Sequence, residues 1–191
     1  MKQNDRTIKN IVVVGLMAAV VFIFTYMHID IPTPLGKTML HLSNVMCLLA
    51  ALLFGPVRGG LAAGFGSMFY DMFDPAYLPE CWITFINKFA MAFVAGLVAH
   101  RLLKGAGRLR FPAAAALGAL SYTALYVGKT IIVQYFVYNN LWETVWATAV
   151  IKGTVSLVNA LIAAVASVLL NAALRKAFTG AGLNERLGVR A

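Results

Sequence analysis

The sequence predicts an all-α, polytopic membrane protein with six transmembrane helices and both termini in the cytoplasm. Of its 191 residues 61% are hydrophobic and only 12% charged, with a mean hydropathy of +0.79; a soluble domain is about 45–50% apolar. Apolar runs approaching the roughly 20 residues that cross a hydrocarbon core recur along almost the whole chain. Lys and Arg gather at alternate ends of those runs. No stretch is left to fold as a separate soluble domain, so residues 1–191 read as one integral domain in the lipid bilayer.

The first run, about 8–28, lacks a small-residue processing motif and continues to Tyr26, which makes it a retained span. The segment His28 to His41 follows, with Asp30, Pro32, Pro34, Gly36 and Lys37. It reads either as an external connector or as a cap over an outward-facing site. The next two runs, about 42–55 and 57–73, are short and meet at Gly55-Pro56. Proline lacks a backbone donor and restricts its predecessor, favouring a sharp turn there over a single broken helix. Runs at about 82–103, 112–138 and 143–174 complete the set. The last two exceed the crossing length and imply tilt or extension into water. From Gly180 onward the chain reads as a short basic terminus.

Placing the N-terminus inside gathers Lys2, Arg6, Lys9, Arg58, Arg101, Lys104, Arg108, Arg110, Arg175, Lys176, Arg186 and Arg190 on the cytoplasmic side, twelve of the sixteen basic residues. Asp30, Asp71, Asp74, Glu80 and Glu143 then lie near the outer surface with Trp82, Trp142 and Trp146, which suit an interfacial aromatic belt. The net charge of +9 is thereby explained by topology rather than by nucleic-acid binding. Cys47 and Cys81 show no metal-ligand spacing, and neither do His28, His41 and His100. The sequence supplies no motif for a metal or a cofactor.

An ionisable group inside a span is costly and marks a functional site unless it is paired structurally. Three lysines qualify. Lys88 lies about 9 Å below Trp82 along its helix, Lys152 about 13 Å beyond Glu143 and Lys129 about 15 Å before Asn139, from a rise of 1.5 Å per residue. Helical spacing gives each polar company. Thr148, Lys152, Ser156 and Asn159 form one stripe, Tyr122, Tyr126 and Lys129 another, and Thr84 aligns with Lys88. Asp71 shares a face with Ser67, Gly64 and Gly60, where a neighbouring helix can approach closely. His41 and Asn44 stand at the start of the second span as ligand contacts, with Ser43 or Asn44 alternatively a helix N-cap. These residues outline a pocket for an anionic or strongly hydrogen-bonding compound with a ring that stacks on tyrosine. The competing reading neutralises each lysine by Asp71, Glu143 or helix carbonyls and leaves no ligand contact.

The segment from His41-Leu-Ser-Asn through Leu-Phe-Gly55-Pro56-Val-Arg-Gly-Gly60, the small-residue run Ala62-Ala-Gly-Phe-Gly-Ser67, Tyr70-Asp71, and Ile86-Asn87-Lys88 followed by Gly96-Leu97 resemble the S components of energy-coupling-factor (ECF) transporters. The similarity covers most of the chain, with Ser43 in place of the usual glycine. It implies six helices in the cytoplasmic membrane of a prokaryote. It also implies a pocket toward the extracellular side for a vitamin or its precursor, gated by the loop between the first two spans. Members dock through small residues on the first span onto a transmembrane coupling subunit driven by two ATPase subunits. Gly15 and Ala19 hold that spacing here, with Ala18 beside them; internal packing is their other reading.

The chain lacks a Gly-x-x-x-x-Gly-Lys-Ser/Thr loop, so energy must come from partners or a gradient. It also lacks a His-Glu-x-x-His motif and a Gly-x-Ser-x-Gly turn, which argues against an intramembrane enzyme. A membrane scaffold would not need three lysines at substrate depth. A stand-alone carrier or facilitator for a small polar or aromatic metabolite stays as the alternative.

Overall fold

The structure is a computed structural model that describes residues 2–189. It is mainly helical, 80% in all, as the composition predicts. In chain order the elements are α1 (Lys2–Tyr26), β1 (His28–Thr33), β2 (Gly36–His41), α2 (Ser43–Phe54), α3 (Pro56–Asp71), α4 (Cys81–Leu97), α5 (Arg110–Ile132), α6 (Trp142–Gly180) and the short α7 (Asn184–Leu187). One turn of π-helix extends α4 through Leu102 and another extends α5 through Val137. Of the basic residues expected on the cytoplasmic side, Arg190 lies outside the described residues, as do the side chains of Lys2, Arg6 and Arg186.

Four segments are long and apolar enough to cross a membrane: Thr7–Tyr26, Leu78–Leu102, Gly107–Val137 and Trp142–Gly180. The remaining two of the six expected spans are shorter helices, α2 with 12 residues and α3 with 16. At 1.5 Å per residue they reach about 18 and 24 Å, less than the roughly 30 Å of a hydrocarbon core. They separate where the sequence places the break. Gly55 adopts φ +86°, a left-handed conformation that favours glycine, and Pro56 takes the first position of α3, where its missing N–H leaves nothing unpaired.

Every residue of α2 is buried, because α1, α3, α4, α5 and α6 all pack on it. A helix that is apolar on all sides has no solvent or lipid face to satisfy and becomes the hub of the bundle. Its C-terminal carbonyls, which a helix cannot satisfy internally, are met by polar side chains, two of them arginines. Arg175 donates to Leu52 O at 2.8 Å, His100 Nε2 lies 3.0 Å from the same oxygen, and Arg58 Nε donates to Phe54 O at 3.1 Å. Cations at a helix C-terminus also complement its dipole. Arg58 further bonds Asn10 of α1 and the carbonyl of Gly188 beyond α7. Both ends of the described chain therefore meet at the basic end of the bundle.

The close approach anticipated for the small face of α3 is made by α4. A Cβ on Gly60 would lie 2.9 Å from the ring of Phe89, and one on Gly64 2.7 Å from that of Phe85. The His28–His41 segment differs from a plain connector. It is an antiparallel hairpin with His28 opposite His41 and Thr33 opposite Gly36, turning at Pro34-Leu35. Pro32 and the polar residues obscure the alternation that marks a strand, which is why an all-α reading passes over it. The hairpin closes the end of the bundle opposite the arginines.

Candidate functional site

The hairpin is fixed to the helices by its backbone as well as its side chains. Asn159 of α6 accepts the amide of His41 at 3.2 Å and donates to Met39 O at 2.9 Å, using both ends of its amide to hold β2. Thr38 Oγ1 lies 3.1 Å from the hydroxyl of Tyr126 on α5, and Tyr77 donates its hydroxyl to Lys37 O at 3.0 Å. At the tip, Lys37 joins Asp30 of β1 at 2.9 Å and Asp74, in the α3–α4 connection, at 3.0 Å. The hydrogen bond to Asp30, with Asp74 behind it, raises the Lys37 pKa against the opposing effect of partial burial. Burial works against ionisation of Asp74, yet the bonds from Lys37 and the Ala76 amide outweigh it and hold the carboxyl below its usual range.

Beneath the hairpin lies a polar cavity lined from every quarter: His41 from β2, Ser67 and Asp71 from α3, Thr84, Asn87 and Lys88 from α4, Tyr122, Tyr126 and Lys129 from α5, Ser156 and Asn159 from α6. The open space at its centre is about 50 Å³, enough for a few water molecules. Tyr122 and Tyr126 stand one helical turn apart with their rings 5.7 Å apart and nearly parallel, at 10°. Lys88 is buried, donates to Asn44 Oδ1 and lies 4.4 Å from the centroid of the Tyr122 ring. Two buried atoms of the lining, His41 Nδ1 and Ser67 Oγ, have no hydrogen-bond partner among the described residues. Burial, with the Lys88 charge adding to it, holds the His41 imidazole well below its ordinary pKa and therefore neutral at physiological pH.

The sequence-derived residues thus fall into three groups. His41, Asp71, Thr84, Lys88, Tyr122, Tyr126, Lys129 and Asn159 converge on this cavity. Asn44 does not reach it but fixes Lys88 from behind. Lys152 belongs instead to a second, outer cavity of about 400 Å³, between the hairpin tip, Tyr77, Glu80 and the end of α5. The pairing of the lysines with Asp71 and Glu143 that the competing reading allowed does not form among the described residues. Lys129 pairs with Glu80, Asp71 makes no ion pair among the described residues, and Glu143 is exposed. Sequence reasoning missed Glu80 in that role, and also Thr25, Thr38 and Tyr77 in the lining. Tyr77 and Glu80 flank and end a short 3-10 turn, Leu78–Glu80, between α3 and α4, where no helical spacing connects them to Lys129.

On the flank of the bundle, α1 and α3 leave an apolar groove lined by Gly15, Ala18, Ala19, Phe22, Leu61 and Phe65 among others. Gly15 and Ala19 are exposed along it, whereas Ala18 is buried toward α3, where a Cβ on Gly66 would meet its carbonyl at 2.4 Å. The three small residues therefore divide between an open face and an internal contact.

Residues 5–176 match the family model described as the ECF-type riboflavin transporter, S component. The chain belongs to this family. It is accordingly a substrate-binding membrane subunit of an ECF transporter, in a family of transporter subunits rather than enzymes. The solved structure of the S component of a bacterial ECF transporter matches this S component with a TM-score of 0.63 at 19% identity, covering 89% of this chain and 97% of the other. At that identity the likeness speaks to the fold. A Pyrococcus woesei protein described as an uncharacterized protein in a gap 3′ region is 42% identical over 48 residues, 25% of this chain. The match spans 32% of that relative's length.

Proposed function

We propose that this S component captures a vitamin-like compound with a planar ring from the extracellular side, and that riboflavin, the compound in its family's description, is the first candidate. The observation that carries the reading is the buried cavity under the hairpin. It joins a parallel pair of tyrosine rings, a buried ammonium and two unsatisfied polar atoms in one enclosure. Convergent polar groups around aromatic faces fix the orientation of a small molecule and give it specificity. Buried polar atoms without partners are uncommon enough in native proteins to require a reason. A ring laid along Tyr122 and Tyr126 would bring its carbonyl or ring-nitrogen edge toward Lys88, Asn87, Ser67 and His41.

The cavity as it stands is far smaller than any ring compound, so the substrate enters by displacement of the hairpin, which acts as the gate. In this reading α2 and α3 complete six spans with the help of their neighbours, both termini face the cytoplasm, and the hairpin faces outward. The Trp82, Trp142 and Trp146 rings, all more than half exposed, then lie in the outer interface. The groove at Gly15 and Ala19 receives the coupling subunit, since small residues let a second helix approach closely. ATP hydrolysis by the two partner ATPases resets the cycle.

Titration of the purified protein with riboflavin, followed by quenching of flavin fluorescence, tests the substrate. Saturable quenching is expected in the wild type. Tyr122→Ala with Lys88→Gln removes a ring contact of about 0.5–1.5 kcal/mol and a charged hydrogen bond of about 1.5–3 kcal/mol, weakening binding at least tenfold. Absence of quenching by the wild type rules out riboflavin. Native mass spectrometry of protein gently purified from its host tests the assembly: coupling and ATPase subunits support it, and a reproducibly partner-free protein favours a stand-alone carrier.

A further inference from the structure

Lys152 is 7% exposed, and among the described residues its ammonium makes neither a hydrogen bond nor an ion pair. Its one specific neighbour is the ring of Tyr126, 5.8 Å from Nζ. Every other lysine in the outer half is satisfied. Lys37 is held by Asp30 and Asp74, Lys129 by Glu80, and Lys88 by Asn44. The carboxylate that shares the outer cavity with Lys152 is Glu80, which Lys129 already engages. One buried positive charge therefore stands uncompensated, and burial of an unpaired charge costs several kcal/mol.

The position of this charge gives it a use. The outer cavity, about 400 Å³, opens beside the hairpin tip, and Lys152 lies within its wall. Tyr77 lines both this cavity and the inner one, and the Lys129–Glu80 pair bridges them, with Lys129 facing the inner side and Glu80 the outer.

We infer that the outer cavity is an anion subsite in which Lys152 takes a phosphate or carboxylate carried on the tail of the substrate, while the ring occupies the inner cavity. This rests on the reading of the inner cavity as the ring site. Riboflavin then binds through its ring alone, and the compounds held most tightly are elongated ones with a planar ring at one end and an anion at the other. An anion meeting Lys152 forms a charge-assisted hydrogen bond of the stronger kind and relieves an unpaired charge at the same time. Neutral vitamins lacking the anion fill the inner cavity and leave Lys152 unmatched.

Two measurements on the full-length protein in detergent test the assignment. In the first, riboflavin and flavin mononucleotide, which differ by one phosphate, are titrated by fluorescence quenching against the wild type, Lys152→Gln and Lys152→Arg. The phosphorylated flavin is expected to bind at least tenfold more tightly than riboflavin to the wild type. Lys152→Gln abolishes the difference without changing riboflavin affinity, and Lys152→Arg keeps part of it. In the second, inorganic phosphate is compared with chloride at equal ionic strength for its effect on the thermal midpoint. If neither flavin binds, a phosphate-specific rise that Lys152→Gln removes still supports the subsite, and it is the flavin reading of the inner cavity that fails. Equal affinity for the two flavins in the wild type, or no flavin binding together with no phosphate effect, overturns the subsite. Lys152 is then a buried lysine with no ligand to hold.

Discussion

Replacing Lys37 by alanine tests the hairpin as a gate. Its ammonium joins Asp30, whose side chain is 43% exposed, and Asp74, 13% exposed, while its own is 28% exposed. An exposed pair contributes a few tenths of a kcal/mol and a sheltered one somewhat more, about 1 kcal/mol for the two together. The bonds that hold the rest of the hairpin survive the substitution. Tyr77 bonds the backbone carbonyl of residue 37, and Asn159 bonds the backbone of His41 and Met39. The hairpin therefore stays folded and loses only its latch, so its open population rises about fivefold. If exchange passes through the open state, stopped-flow quenching with riboflavin shows association and dissociation both accelerated about fivefold and Kd changed less than twofold. Unchanged rates would refute the latch. Faster dissociation alone, with Kd weakened to match, would make Lys37 a ligand contact instead. The pH dependence follows from Asp74, whose carboxyl is held below its ordinary 3.8. A depressed acid contributes fully above its unfolded value and loses that contribution as pH falls through the folded one. Wild-type exchange rates should therefore stay flat from neutral pH to about pH 5 and rise only below the usual carboxylate range.

Three further substitutions probe the framework. Asn44→Ala strips Lys88 of its hydrogen-bond acceptor and should lower the thermal midpoint in detergent by the equivalent of about 1–3 kcal/mol, with Lys88→Met in the same chain restoring most of it. Gly96→Ala places a methyl 2.5 Å from the nitrogen of Pro56, a backbone contact that cannot swing aside, and should cost about 1–3 kcal/mol by the same assay. Gly15→Leu with Ala19→Leu adds bulk on an exposed face, and at Gly15 a new Cβ meets no atom within 4 Å. Thermal midpoint and riboflavin binding should be preserved while the coupling and ATPase subunits no longer co-purify. Ala18→Leu, directed at α3, should instead lower the midpoint.

The composition and spacing of the chain determine that it is a helical membrane protein, where its apolar helices lie, where Gly55-Pro56 divides α2 from α3, and which polar residues share a helix face. Each of these is a local property: hydropathy sets residence in lipid, the 3.6-residue period sets the face, and proline sets the break. The stripe of Thr148, Lys152, Ser156 and Asn159 is buried throughout, and Tyr122 and Tyr126 stack, because neighbours on one helix are fixed by sequence distance alone. Pairing between elements is decided by the tertiary structure. Glu80 reaches Lys129 across 49 positions and Asn44 reaches Lys88 across 44, contacts that exist only once the helices have assembled. The same assembly places Lys88 in the inner cavity and Lys152 in the outer one, although both read alike as lysines within spans. It also turns the His28–His41 segment into a hairpin, whose strands are held less by their own pattern than by Asn159 and Tyr126 beneath them. A residue's cost in lipid is written in its side chain; the partner that offsets the cost depends on how the helices assemble.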